Sequence, residues 1–264
     1  MSDYQLRFAG IARLYGVAAL EKFRAAHVCV VGIGGVGSWA AEALARSGIG
    51  TITLIDLDDV CISNINRQLH AMTDTIGQDK VAVMAQRIKA INPDCIVHQV
   101  EDFVTTDNLR QLISSDMDYV VDAIDSIKAK VALLAYCKRN KIRLISTGGA
   151  GGQTDPTQIQ IADLTQTIND PLLAKVRNSL RRDYNYSRNP KRRFGIDCVF
   201  STEQLIYPQP DGSVCQQKTA QLNADDEASS MRLDCSGGFG AVTVVTASFG
   251  FAAVSRVLKK LAQS

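Results

Sequence analysis

A chain of 264 residues with 46% hydrophobic and 21% charged residues has an ordinary globular composition, which excludes a wholly disordered chain. It is long enough for one large α/β domain, or for a nucleotide-binding core with an appended region. A formal net charge of +2 is too mild to argue for nucleic-acid binding from bulk charge, so any such surface has to be local.

The cysteines at 29, 61, 95, 137, 198, 215 and 235 are scattered, odd in number and free of any C-x-x-C pair. That is the usage of reduced thiols in a cytoplasmic protein, not of a disulfide framework or a four-cysteine zinc site. The first twenty residues carry Asp3, Arg7 and Arg13 without a continuous apolar run, so no secretory signal is read there.

Residues 27–31 (HVCVV) form a short apolar run rich in β-branched residues, and the glycine turn Gly32-Ile33-Gly34-Gly35-Val36-Gly37 follows at once. This predicts a first strand entering a tight loop. Residues 38–47 carry apolar side chains at helical spacing and are closed by Gly48 and Gly50, which predicts a helix. Residues 51–57 (TITLIDL) are the second strand, ending among Asp56, Asp58 and Asp59. Strand, glycine turn, helix, strand and acid make a βαβ unit. Beyond it the pattern predicts helices over 80–91, 107–115 and 127–140, alternating with strands over 95–100, 119–124 and 143–147. Such alternation implies an α/β fold: a Rossmann-like, mostly parallel sheet with helices on both faces and a ligand at the carboxyl ends of its strands.

After Gly152 the alternation breaks, which divides the chain into a nucleotide-binding core over 1–152 and an appended extension over 153–264 expected to hold the second substrate. Residues 159–164 read as one more strand, and residues 209–230 as a long flexible loop. The stretch between Ser236 and Ser255 carries no charge and approaches the roughly 20 apolar residues that span a bilayer. Its Gly, Ser, Thr and Ala content favours a buried helix over 238–260 instead, so stable membrane insertion is not expected.

The chemistry begins at the glycines. Gly32, Gly34, Gly35 and Gly37, placed between a strand and a helix, let backbone N–H groups approach a phosphate where Cβ atoms would obstruct it. Asp56 stands 19 residues beyond Gly37, where an acid accepts hydrogen bonds from ribose hydroxyls. NAD and ATP fit equally well to that point. The run from Asp58 to Gln68, with Asn66 and Arg67, followed by Lys80 in GQDK, separates them. Paired cations suit the β- and γ-phosphates of ATP and a departing pyrophosphate, not a hydride acceptor.

The combination GIGGVGS, IDLDDVCISNINRQ, GQDK and VVDAIDS, over roughly residues 7–150, resembles the adenylylating superfamily of ubiquitin-activating enzymes and bacterial activators of sulfur-carrier proteins. Within it, RFAGIARLYG, VCISNINRQLHA, STGGAGGQTDPTQIQIADL, DPLLAKVRNSLRR and DCSGGFGAVTVVTASFGF are most similar to the tRNA threonylcarbamoyladenosine dehydratase group. This resemblance implies ATP-dependent cyclisation of threonylcarbamoyladenosine beside the anticodon, by adenylylation of its carboxylate and displacement of AMP by an internal oxygen or nitrogen. Carried over residue by residue, it makes Asp56 the ribose acid with Asp58 beside it, Asn66 and Arg67 a conserved polar pair, Lys80 the phosphate lysine and Asp125 the holder of magnesium. A carboxylate at Asp125 suits a hard, oxygen-seeking cation. On local sequence Asp125 also reads as a helix N-cap, and Asp122 is a second candidate acid in mid-strand.

The chain departs from that pattern in two places. Sulfur-carrier activators commonly carry two C-x-x-C zinc pairs, which are missing here, so zinc is not expected. The arginine that the superfamily delivers across a homodimer interface falls near Gly10, which leaves Arg13 or Arg7 as its replacement. Cys235, after Asp234 in a glycine-rich setting, is a candidate sulfur acceptor linked to a cysteine desulfurase system, against the inert buried cysteine as the alternative.

Lys175, Arg177, Arg181, Arg182, Arg188, Lys191, Arg192 and Arg193 cluster around Tyr184 and Tyr186. Cations for phosphates and aromatics for an extruded base make this a candidate tRNA surface; a solvated charged face is the other reading. Two further functions stay open: activation of the C-terminal glycine of a sulfur-carrier or ubiquitin-like protein, and a nucleotide-gated sulfur-relay module built on Cys235.

Overall fold

The apolar runs His27–Val31 (β1) and Thr51–Ile55 (β2) pair in parallel, with Val31 opposite Ile55. In the computed structural model, which describes residues 2–189, 191–209, 211–216 and 239–264, these two strands lie in a seven-stranded sheet. It also contains Ile96–Val100 (β3), Tyr119–Asp122 (β4), Leu144–Thr147 (β5), Ile159–Asp163 (β6) and Asp197–Ser201 (β7). The order across the sheet is β3-β2-β1-β4-β5-β7-β6, parallel throughout except for β6, which runs antiparallel to β7. Strands buried on both faces read as continuous apolar runs, which is why β1, β2 and β4 stand out in the sequence as HVCVV, TITLI and YVV.

The strand order reverses between β2 and β4 about β1. That switch point is where an open α/β sheet leaves a crevice at its carboxyl edge. Three short helices, Asp3–Arg7 (α1), Ala9–Tyr15 (α2) and Val17–Ala25 (α3), precede β1, and Gly37–Arg46 (α4) returns the chain from β1 to β2. Lys80–Ile91 (α5) precedes β3. The helix expected over 107–115 is a single turn, Leu109–Leu112 (α6). It stops because Ile113 turns extended and is wholly buried, while its carbonyl accepts the Tyr136 hydroxyl at 3.1 Å. Ile127–Arg139 (α7) then joins β4 to β5.

Two elements of the extension go beyond the sequence expectation. Pro171–Asp183 (α8) begins at an Asp170 cap with proline at its first position and buries Leu172, Leu173, Val176 and Leu180 along one face, a start signal and stripe of the usual kind. β7 inserts between β5 and β6, pairing Ser146 with Cys198. The residues from 153 onward are therefore hydrogen-bonded into the same sheet as the core. The apolar helix runs over Thr243–Gln263 (α9) and buries Val245, Phe249, Ala253, Val257 and Leu261. A Cβ at Gly250 would lie 2.7 Å from the Val36 carbonyl, so glycine is what lets α9 cross α4 at the nucleotide turn. Among the described residues no helix is long and apolar enough to cross a membrane. Most of the loop expected over 209–230, and Cys235, lie outside the described residues.

Candidate active site

The strand register brings the ends of β1, β2 and β4 level. Gly32 N–H donates to the Ile55 carbonyl at 2.9 Å, and Ala123 N–H to the Val31 carbonyl at 2.8 Å. Gly32 has φ +86°, and a Cβ there would sit 2.9 Å from the Ala123 oxygen; one at Gly37 would overlap the Gly32 carbonyl. These two glycines are thus demanded by backbone packing. Gly34 and Gly35 line the cavity together with Gly32, at the approach to the first turn of α4, which no side chain caps. An uncapped helix start aimed into a cavity is an anion site.

Asp56 is nearly buried at the end of β2 and accepts the Ile33 N–H at 2.5 Å and the Asp58 N–H at 2.9 Å. Burial pushes its carboxyl above the usual range, with Lys80 opposing. The Lys80 ammonium, itself buried, lies 2.8 Å from Asp58 and 4.0 Å from Asp56. Two acids thus hold a desolvated cation at the cavity wall, where its charge is poorly screened. Arg67 is buried beside them, its Nη1 donating to the Ser63 carbonyl at 2.8 Å and to Asn66 at 3.0 Å. Asn66 does not line the cavity; its amide donates to the Ala241 carbonyl at 2.8 Å. Asn64 lines it instead, since residues two apart around a tight turn of three residues per turn do not share a face.

Asp125 is exposed at the rim of the same cavity, four residues beyond Val121 of β4. Asp122 is fully buried and committed: Lys130 Nζ lies 2.7 Å from its Oδ2, which also accepts the Ser146 hydroxyl at 2.7 Å. Of the two candidate acids, Asp125 is the one open to a ligand. Among the described residues no group of three or more His, Cys, Asp or Glu is arranged to hold a metal ion. Arg13 is exposed on α2, and Arg7 is bound to Asp3 at 2.7 Å; neither lines this cavity.

The cavity, about 1010 Å³, extends well past these residues. Phe103 and Val104, after β3, form an apolar wall near Asp56 suited to a purine ring. On the opposite side it reaches Thr147 to Gly151, Gln153, Asp170, Leu205 and Phe239. Asp170 accepts N–H groups of Gly149 and Leu173 at 3.0 and 2.8 Å, and burial raises its pKa to about 6. Sequence reading missed this half, although the Asp170-Pro171 cap was a visible signal.

The basic cluster does not act as one surface. Arg177 points inward, donating to the Leu164 and Thr167 carbonyls at 3.0 and 3.2 Å. Arg181 lies over the Phe194 ring, and Arg182 pairs with Asp183 at 2.7 Å. Lys191, Arg192 and Arg193 are exposed together.

An uncapped helix start, a nearly buried acid, two buried cations and a rim carboxylate meet at one switch point, an arrangement suited to a nucleotide in an open α/β sheet. The sequence profile of the ThiF family matches residues 6–264. The chain is 60% identical over 258 residues to a tRNA threonylcarbamoyladenosine dehydratase of Escherichia coli (strain K12), covering 98% of this chain and 94% of that one. Identity to the protein of the same description from Haemophilus influenzae is 57%, over 99% of this chain and 95% of the relative. The crystal structure of the E. coli dehydratase in complex with ATP superposes with a TM-score of 0.86 at 56% identity, covering 98% and 96% of the two chains. The chain belongs to the ThiF family and, within it, to the tRNA threonylcarbamoyladenosine dehydratases.

Proposed function

We propose that this chain uses ATP to remove water from N6-threonylcarbamoyladenosine in tRNA. The observation that carries the reading is the division of one cavity into a phosphate-directed half, at the ends of β1, β2 and β4, and a second half at the end of β5 with room for a carboxylate substrate. The threonyl carboxylate attacks the α-phosphorus of ATP and pyrophosphate departs. The ureido oxygen or nitrogen of the same side chain then attacks the acyl carbon, AMP leaves, and the ring closes with net loss of water.

In this reading Asp56 accepts the ribose hydroxyls, and the start of α4 with Gly34 and Gly35 meets phosphate oxygens. Lys80 and Arg67 stabilise charge gathering on the departing pyrophosphate. Asp125 would hold magnesium: one exposed carboxylate is a suitable protein donor, because this cation usually keeps waters and is shared with phosphates rather than caged by side chains. When bound, it would neutralise phosphate charge. Lys191, Arg192 and Arg193 would meet tRNA phosphates. Leu14 and Val17, 75% and 67% exposed beside Arg13, suit a face against a second copy, which would carry Arg13 toward the partner's phosphates. The dehydration balances without a thiol, so Cys235 has no step in it and a Cys235→Ala protein should still form product.

The test is mass spectrometry of nucleosides after incubation of the protein with ATP, magnesium and threonylcarbamoylated tRNA. A product lighter by one water is expected. Its absence would sink the reading.

A further inference from the structure

The two halves of the cavity are separated by the sheet itself. Three strand steps part the ribose acid Asp56 at the end of β2 from Thr147 at the end of β5, or about 14 Å at about 4.8 Å per step. A nucleotide lying from Asp56 across the glycine turn leaves the β5 side to the second substrate. Its wall there is mostly backbone and small residues, Thr147 to Gly151, with three buried polar side chains, Thr147, whose hydroxyl donates to the Asp122 carbonyl, Asp170 and Gln153. Asp170 is committed to the Gly149 and Leu173 N–H groups.

Gln153 is not committed in the same way. It is 3% exposed and lines the cavity. Its Nε2 donates to the Gly149 carbonyl at 3.0 Å, while its Oε1 has no hydrogen-bond partner among the described residues. A buried acceptor without a partner is costly, on a scale that folded proteins rarely tolerate without a reason. The backbone on either side is fixed. Gly152 N–H donates to Gly240 and its carbonyl accepts from Ile206, both at 2.8 Å, and Glu203 accepts the N–H groups of Thr154 and Asp155. The side chain is thus held on a rigid support, as a recognition group should be. Its terminal torsion is broad and soft, so the amide can turn its oxygen to a ligand.

We propose that Gln153 is a specificity-determining residue for the acyl substrate, and that its amide reads the ureido group. An amide offers two N–H donors and one carbonyl acceptor. With one donor spent on Gly149, Gln153 retains one donor and one acceptor, the complement of a ureido C=O and N–H. This rests on the proposed dehydration and adds to it the group that distinguishes a carbamoylated nucleoside from a plain carboxylate.

The experiment uses the full chain with threonylcarbamoylated tRNA, ATP and magnesium, comparing wild type with Gln153→Leu and Gln153→Met. Both variants should lose about 10- to 100-fold in kcat/KM for the tRNA, while the KM for ATP stays within about twofold. Their melting temperatures should stay close to that of wild type, because removal of the unpartnered acceptor offsets the lost hydrogen bond to the Gly149 carbonyl. A wild-type kcat/KM for tRNA in either variant overturns the assignment. So does a lowered melting temperature with equal losses toward ATP and tRNA in both, which marks a structural role. Absence of product with the wild-type protein overturns the dehydration reading itself, and the Gln153 assignment with it.

Discussion

At the ends of β1, β2 and β4 the cavity is walled by charge in fixed geometry: Lys80 between Asp56 and Asp58, Arg67 tied to Ser63 and Asn66, and Asp125 at the rim. At the end of β5 the same cavity is walled by glycine backbone, an amide and one carboxylate whose pKa is raised toward neutrality. On the proposed reaction, the contrast follows from the two ligands. A polyphosphate is met by full charges, which a low-dielectric wall strengthens. A ureido group and a carboxylate about to lose its charge by acylation are better met by neutral hydrogen bonds, where a cation would favour the unreacted carboxylate and raise the barrier.

The comparison breaks most sharply at Asp125. Replacing it with alanine should reduce ATP-dependent turnover by about 10³-fold or more, read as pyrophosphate or AMP release. Because the side chain is exposed, the thermal midpoint should hardly move. Normal turnover would mean that the rim acid is not the magnesium ligand. Lys80→Met comes next, with an expected loss of about 10²- to 10³-fold. Unlike Asp125→Ala it should also lower stability, since Asp56 would remain nearly buried without its cation. A Lys80→Met protein with full stability would show that the lysine does not neutralise those acids.

The charged half was legible in the sequence because its residues sit at short, fixed offsets from strand ends. The glycine turn follows HVCVV, Asp56 directly follows TITLI, and Lys80 opens its own helix, so local periodicity placed each of them. The second half depends on pairing between distant segments. Gln153 and Asp170 face one cavity only because β7, near residue 200, inserts between β5 and β6 and draws the 148–170 segment across the sheet end. Nothing local to Gln153 announces that. Asn64 and Asn66 mark the same limit at smaller scale: two amides two residues apart in a tight turn, of which only the three-dimensional turn decides the inward one.

Asp170 gives a pH test of the neutral half. Its pKa is raised from 3.8 to about 6 by burial, against the opposing pull of the Leu173, Gly149 and Leu172 N–H groups and of Lys130. The folded protein therefore holds this proton more tightly than the unfolded chain does. The stability it contributes is fully present below about pH 4 and is lost as the pH rises through about 6. Asp170→Asn does not titrate there, so the stability difference, wild type minus variant, should fall by on the order of 3 kcal/mol between pH 4 and 7. Urea unfolding of both proteins across that range measures it. A flat difference would mean that the β5 end is more hydrated than its burial indicates.

The smallest effects divide the basic cluster in the same manner, between cations that hold the fold and cations left for a ligand. Replacing Lys191, Arg192 and Arg193 together by alanine should flatten the dependence of log K for tRNA on log salt by about 0.7 to 0.9 for each phosphate that the protein no longer neutralises. The thermal midpoint should not change, since all three are exposed. Arg177→Ala should do the reverse. Its guanidinium caps the Leu164 and Thr167 carbonyls beneath α8, and although the Thr167 hydroxyl still donates to Leu164, its removal strips the Thr167 carbonyl of this donor and destabilises by about 1–3 kcal/mol, while the salt slope stays as in wild type. An unchanged slope in the triple variant would move the tRNA surface elsewhere on the protein. A flattened slope in Arg177→Ala would show that the guanidinium leaves its carbonyls to meet a phosphate.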